Sequence, residues 1–255
     1  MKSEFMTVAL DAVKEAEKII LHYHKVGAQV EFKADQSPVT IADKEAEAKI
    51  RQVIAAKFPD HTFFGEEGEQ VSLKNHRGYT WIIDPIDGTK GFMRGVPLFA
   101  TLLALMHDGE LILGVSNMPL MNELIYAEKG QGAWLNDQRL QVSNVATIGE
   151  SYISSGSIKH FVTKQKIDNL IKLSQDARQL RTFGDTWSYH LTAQGKIDAV
   201  VEDYVKFWDV AAATVIIREA GGRVTKLDGS DIDETTDTVL ASNDLLHDEI
   251  LNYFN

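Results

Sequence analysis

From Tyr79 to about Glu128 the chain carries four strand-like runs, YTWIID, FATLLALM, ILGVSN and ELIYAE, with Asp108–Gly109 supplying a hairpin turn. This block predicts a mainly antiparallel sheet. The texture before it is helical. Val8, Ala9, Ala12, Val13, Ala16, Ile19, Ile20 and Tyr23 recur at helical spacing ahead of Gly27 and predict an amphipathic first helix. Thr40 is placed to cap a second helix. Asp43 stands at the reciprocal capping position, and Ala46, Ile50, Val53, Ile54 and Phe58 carry an apolar stripe to Pro59.

After the sheet block the chain alternates. Helices are expected near Lys164–Ala177, Thr186–Gln194, Val210–Ala220 and Leu245–Tyr253, with strands at IDAVVE and RVTKL. The chain is therefore of α/β (α+β) class. An N-terminal α+β portion, residues 1–145, holds the antiparallel sheet, and an α/β portion, residues 146–255, follows a boundary placed near Ser143–Gly149. No repeat or long Pro/Gly/Ser linker separates the two, so they are expected to pack as one unit.

Composition narrows the function. A chain of 255 residues, 44% of them hydrophobic, can bury a large core without cross-links. It has no cysteine, which excludes disulfides, thiolate metal sites and a cysteine nucleophile, and which sits easily with a cytoplasmic location. Asp11, Glu15 and Glu17 interrupt the N-terminus before any long apolar run, so neither a signal peptide nor a membrane span is expected. The formal charge of −11 argues against general nucleic-acid or membrane binding. An anionic substrate would need a local positive charge, and a bound metal is one way to supply it.

The segment Trp81 to Phe92 runs an apolar strand into Asp84-Pro85-Ile86-Asp87-Gly88-Thr89. Pro85 ends regular pairing, and two carboxylates three residues apart suit hard cations that prefer oxygen ligands. The Ile86 carbonyl offers a neutral oxygen. Gly88 permits close backbone approach, and amides at Gly88 and Thr89 can form a nest for phosphate oxygens. Alone, such a stretch reads as a surface turn. Two further clusters change the balance: Gly65-Glu66-Glu67 after two phenylalanines, and Trp208-Asp209-Val210 at a helix start, where Asp209 by itself would be read as a cap.

In this combination and order, Gly65-Glu66-Glu67, Asp84-Pro-Ile-Asp87-Gly-Thr89, Trp208-Asp209-Val-Ala-Ala and Glu219-Ala-Gly-Gly222 resemble the inositol monophosphatase family of Mg²⁺-dependent, lithium-sensitive phosphatases, over nearly the whole chain. The run Lys33 to Asp43 is similar to the family's mobile loop and second helix start. The resemblance implies a layered αβαβα sandwich and hydrolysis of a small-molecule phosphate monoester by a metal-activated water. It implies that Glu66, Asp84 and the Ile86 carbonyl bind one Mg²⁺, and that Asp84, Asp87 and Asp209 bind a second. A third, weaker ion would be reached from Glu66 through water. Thr89, hydrogen-bonded to Asp43, would orient or deprotonate the attacking water, and a homodimer is expected.

Substrate choice is assigned to later residues. Asp185 follows Gly184 where inositol-type relatives carry small residues, and the stretch from Arg181 to Gly229 looks more like the histidinol-phosphate phosphatase branch. An acidic Asp185 can pair with a substrate ammonium group, although a helix cap explains it equally well. Glu202 matches a family position on the leaving-group side. The substrate expected is inositol monophosphate or histidinol phosphate.

Three alternatives stand beside this reading. Haloacid dehalogenase phosphatases share a similar aspartate signature, but here two residues separate the aspartates. A 3′-phosphoadenosine-type nucleotidase of the same family is closer, and a non-enzymatic metal-binding interaction protein is the third. Other features have plain readings: the acid-rich Asp228–Asp237 as a turn, His22 and His24 as surface or interhelical residues, and the four tryptophans as core packing.

Overall fold

The computed structural model describes residues 2–27, 30–32, 38–68, 72–74 and 76–255. The stretch 33–37, the loop end of the run similar to the family's mobile loop, lies outside the described residues. In chain order the elements are α1 (Glu4–Val26), β1 (Val30–Phe32), β2 (Pro38–Thr40), α2 (Ile41–Ala55), β3 (Thr62–Gly65), β4 (Tyr79–Asp87), α3 (Thr89–Phe92), β5 (Ala100–His107), β6 (Glu110–Met118), β7 (Glu123–Glu128), β8 (Ala133–Leu135) and β9 (Gln138–Arg139). There follow β10 (Tyr152–Ser155), α4 (Ile158–Thr163), α5 (Ile167–Asp176), β11 (Gln179–Arg181), α6 (Asp185–Ala193), β12 (Ala199–Glu202), α7 (Phe207–Glu219), β13 (Arg223–Thr225), β14 (Val239–Ser242) and α8 (His247–Leu251).

The expected sheet forms with seven strands in the order β3-β4-β5-β6-β7-β8-β9, antiparallel except for the β3–β4 pair. Its β5–β6 hairpin turns at Asp108 and Gly109, both at positive φ (51° and 88°), which is the conformation a tight primed turn needs. A second sheet has five strands in the order β11-β10-β12-β14-β13.

Apolar residues explain the stacking. On β4 and β5, Trp81, Ile83, Leu103 and Leu105 face the stripe of α1 and α2, whereas Ile82, Leu102, Ala104 and Met106 pack with Ala211 and Ala212 of α7. A sheet buried on both faces reads as continuous apolar runs, which is why FATLLALM does not alternate. Helices α6 and α7 also pack against β12, β13 and β14, so they fill the space between the two sheets. The outer face of the second sheet is covered by Phe161, Leu170, Leu173 and Ile250 of α4, α5 and α8. The layers run helix, sheet, helix, sheet, helix, the expected αβαβα sandwich.

Helix starts follow the expected chemistry at α2, where Thr40 and Asp43 bond reciprocally. The helix expected over Lys164–Ala177 forms as α5, starting at Ile167, and a shorter helix that was not expected, α4, precedes it, the two separated where Gln165 takes φ 60°. Trp81 is fully buried, and Trp134, Trp187 and Trp208 pack partly buried against the cores. Asp228 and Asp233 accept bonds from residues two positions on, as a turn requires. His24 packs its ring between Phe92 and Phe99. Among the described residues no helix is long and apolar enough to cross a membrane.

Candidate active site

Strand parity brings the first carboxylate into place. Asp84 shares parity with Ile82, so it points to the α7 face of the sheet, and α7 begins with Phe207, Trp208 and Asp209. Asp87, three residues on, would point to the opposite face of a regular strand. The β4–β5 register shifts between Asp84 and Asp87, with Asp84 opposite Leu102 and Asp87 opposite Ala100. That bulge, at the proline that cannot donate to the ladder, turns Asp87 back to the same side. Oxygens of Asp84, Asp87 and Asp209 all lie within 4.8 Å of one another.

A cleft of about 260 Å³ opens over them. It is lined by Glu66, Asp84, Ile86, Asp87, Gly88, Thr89, Asp185, Glu202 and Asp209 among others. Of the residues singled out in the sequence, the structure therefore gathers all but Asp43 on one surface. Asp43 is fully buried behind it, one turn into α2, and its charge is felt at Asp84.

Each carboxylate is held in a particular way. Asp87 Oδ2 accepts two bonds from Thr186, from the amide at 2.8 Å and the hydroxyl at 2.5 Å. Asp209 Oδ2 accepts the Lys206 amide at 2.7 Å, so Asp209, the third residue of α7, reaches back to the N-cap Lys206 instead of being the cap itself, and still faces the cleft. Asp43 Oδ2 accepts the Thr40 amide at 2.7 Å and hydroxyl at 2.6 Å. Asp84 Oδ1 and Asp43 Oδ1 are buried and have no hydrogen-bond partner among the described residues. Behind Glu66, the buried Glu47 accepts the Glu67 amide at 2.9 Å and pairs with Arg51 at 2.7 Å, fixing the turn after β3.

Crowding of like charges shows in the acidities. Burial, and then Glu66, Asp87, Asp209 and Asp43, push Asp84 well above the usual carboxylate range. Burial and then Asp185 push Asp87 up to about 7, against the bonds from Thr186. Burial and then Asp87 raise Asp209 strongly, and burial with Asp87, Asp185 and Asp209 does the same to Glu202. Burial is the main cause that lifts Asp43 to about 6. Orphaned buried oxygens and mutually repelled carboxylates are what a divalent-cation site leaves when described without its ions, and the all-oxygen donor set suits Mg²⁺.

Two local expectations come out differently. The Thr89 hydroxyl donates 2.9 Å to the Ile86 carbonyl rather than to Asp43, whose Oδ2 is already taken by the capping box. Asp185 does not cap α6: the N-cap is Gly184 with no side-chain bond, and Asp87 from the other sheet caps the helix through Thr186. Asp185 itself sits at φ 40°, with Oδ2 over Gly88, where an added Cβ would lie 3.3 Å away. Burial raises the Asp185 pKa, and Lys90, also in the cleft, offsets part of that rise, so Asp185 already has a cationic neighbour.

Lys90, His160, Tyr189 and Tyr204 also line the cleft and were not singled out from sequence. The His160 and Tyr204 rings meet at the rim with centroids 4.6 Å apart. Nothing local marks a lone histidine in a helix or a tyrosine after a strand; only the return of both to one rim does.

On this layered fold, such a cleft is that of a phosphoric monoester hydrolase. The chain belongs to the inositol monophosphatase family, a Mg²⁺-dependent family that matches it over residues 1–255. A histidinol-phosphatase of Mycobacterium tuberculosis is 35% identical over 262 residues, covering 100% of this chain and 99% of that protein. A histidinol-phosphatase of Chlorobaculum parvum is 39% identical over 218 residues, 85% of this chain and 83% of that one. In three dimensions the chain is similar to an IMPase of Thermotoga maritima, with TM-score 0.88 and 32% identity over 98% of this chain and 96% of that chain.

Proposed function

We propose that the cleft binds the phosphate of a small-molecule monoester against Mg²⁺ held by Glu66, Asp84, the Ile86 carbonyl, Asp87 and Asp209, and hydrolyses it with a water. The observation that carries this reading is the convergence of Asp84, Asp87 and Asp209 oxygens within 4.8 Å, with one Asp84 oxygen buried and unpartnered. Two bound ions would neutralise the phosphate, polarise its phosphorus and favour the ionised form of a nearby water.

The chain's own groups do the rest. Asp84, central to the cluster, is the natural shared ligand. Thr186 fixes one oxygen of Asp87 and leaves the other to the cleft. Lys206 does the same for Asp209. Gly88, in the left-handed region at φ 86°, turns the backbone so that the amides of Gly88 and Thr89 head α3 and can receive phosphate oxygens. Thr89 lines the cleft and is available to place the water, while Asp43, buried behind the cleft with Oδ1 unpartnered, would act from behind Thr89 and not on the water directly.

For the leaving group, Asp185, whose carboxylate lies over Gly88, and Glu202 line the cleft, with the Tyr189 hydroxyl beside Glu202. An acidic side favours a cationic alcohol, so histidinol phosphate is preferred to inositol monophosphate. The likeness to two histidinol-phosphatases supports the same choice. By family likeness we also infer a lithium-inhibited homodimer working in the cytoplasm.

The test is phosphate release from histidinol phosphate and inositol 1-phosphate, with and without Mg²⁺, by wild type and Asp185→Asn. The expected result is Mg²⁺-dependent turnover, with Asp185→Asn losing more on histidinol phosphate. Equal losses on both would contradict ammonium pairing. No Mg²⁺-stimulated release across a panel of monoesters would favour a binding protein.

A further inference from the structure

Outside the cleft, three buried side chains form a line that none of the steps above uses. His190 of α6 is 1% exposed, with Nε2 2.7 Å from Ser116 Oγ on β6 and Nδ1 2.9 Å from Glu123 Oε2 at the start of β7. A serine, a histidine and an acid in this order would suggest a nucleophile. Ser116 is only 2% exposed, however, and a serine so enclosed admits no ester.

The direction of the line follows from its partners. The bond from His190 is the largest cause holding Glu123 below the usual carboxylate range, and burial holds His190 below its ordinary value, so an ionised acid faces a neutral ring. A neutral imidazole beside a carboxylate donates through Nδ1, which leaves Nε2 to accept the Ser116 hydroxyl. Each member satisfies the next, and removal of one strands a buried polar group.

The position of His190 on α6 gives this line a consequence. Thr186 and His190 are four residues apart, hence on one face of the helix and one turn apart. Thr186 holds Asp87, and His190 is pinned to two neighbouring strands of the same sheet. On the other side Ser188 bonds to Ser154 of β10 at 2.8 Å. The height of α6 over the first sheet is thus fixed at His190, and the bond to Asp87 is read off that height.

We infer that the Ser116–His190–Glu123 line is a positioning device that seats α6 so that Thr186 orients Asp87 for cation binding. This rests on the cation-binding reading of the cleft. None of the three touches the cleft, so their effect travels through α6.

The experiment is Mg²⁺ titration by calorimetry, without substrate, of the full chain as wild type, Ser116→Ala, Glu123→Leu and Glu123→Gln. Their melting temperatures and the long-range ¹H–¹⁵N spectrum of His190 are recorded alongside. Ser116→Ala and Glu123→Leu should weaken Mg²⁺ binding about 10-fold, the usual effect of losing a partner that orients a ligand. Glu123→Gln keeps an acceptor for Nδ1–H and should restore most of the affinity. His190 should be the neutral Nδ1–H tautomer. Lower melting temperatures with unchanged Mg²⁺ affinity, or a Nε2–H tautomer, would overturn the inference alone. Wild type that binds no Mg²⁺ would overturn the reading of the cleft and this inference with it.

Discussion

Thr186 gives both its amide and its hydroxyl to one carboxylate oxygen of Asp87, joining the first helix turn of α6 to the bulge of β4 across 99 positions of sequence. That contact does two things at once. It caps a helix that has no cap of its own, and it leaves a single oxygen of Asp87 to face Asp84 and Asp209. Fold stability and site geometry therefore share a residue.

Asp84→Asn should separate activity from folding. The wild-type carboxylate is 1% exposed and repelled by Glu66, Asp87, Asp209 and Asp43, so the amide relieves the cation-free protein. Turnover of a phosphate monoester should fall by at least about 10³-fold, as expected when a bound cation's stabilisation of the transition state is lost. The melting temperature in chelator should hold or rise. Phosphate release and calorimetric melting check the two halves.

Stability without metal should fall as pH rises. Folded Asp43 titrates at about 6 and Asp87 at about 7, both starting from 3.8, so between about pH 4 and 7 the folded chain keeps protons that the unfolded chain has released. The sign is that of raised carboxylates: the penalty from these two groups grows through this window and is complete above about 7, and the strongly raised Asp84, Asp209 and Glu202 add to it in the same direction. Bound Mg²⁺ offsets it. Melting curves with Mg²⁺ and with EDTA should differ more at about pH 8 than at about pH 5, and a gap independent of pH would contradict the charge assignment.

Gly114→Ala tests how tightly α7 is seated. A Cβ at Gly114 would lie 2.4 Å from the carbonyl oxygen of Ala212, a backbone atom that cannot swing aside. Overpacking of this kind should cost about 3 kcal/mol in urea unfolding. Because α7 carries Asp209, Mg²⁺ affinity should weaken in the same variant, whereas a loss of stability with unchanged affinity would mean that α7 yields without moving its first turn.

The acidic cluster was legible because its residues carry local chemistry. Asp84-Pro-Ile-Asp87 announces an interrupted strand and two neighbouring carboxylates within four residues, although β4 runs on through a bulge to Asp87 instead of ending at Pro85, and Thr40 with Asp43 announces a helix start. The sheet block was legible for the same reason, through apolar runs and the Asp108–Gly109 turn. What sequence did not show lives in contacts between distant segments. β14, the strand VLAS between β12 and β13, is too short to signal itself and exists by pairing with both. The role of Thr186 depends on Asp87 arriving from another sheet, and Lys90 at Asp185 depends on the same meeting. His190 gives no periodic or motif signal, since its two partners lie 74 and 67 positions away.

Anomalous diffraction from crystals soaked in Mn²⁺ and phosphate tests the central claim most directly. The account predicts metal peaks bonded to oxygens of Asp84, Asp87, Asp209 and Glu66, with phosphate against them at Gly88 and Thr89. Full occupancy of Mn²⁺ elsewhere, with those four side chains bare, would contradict it.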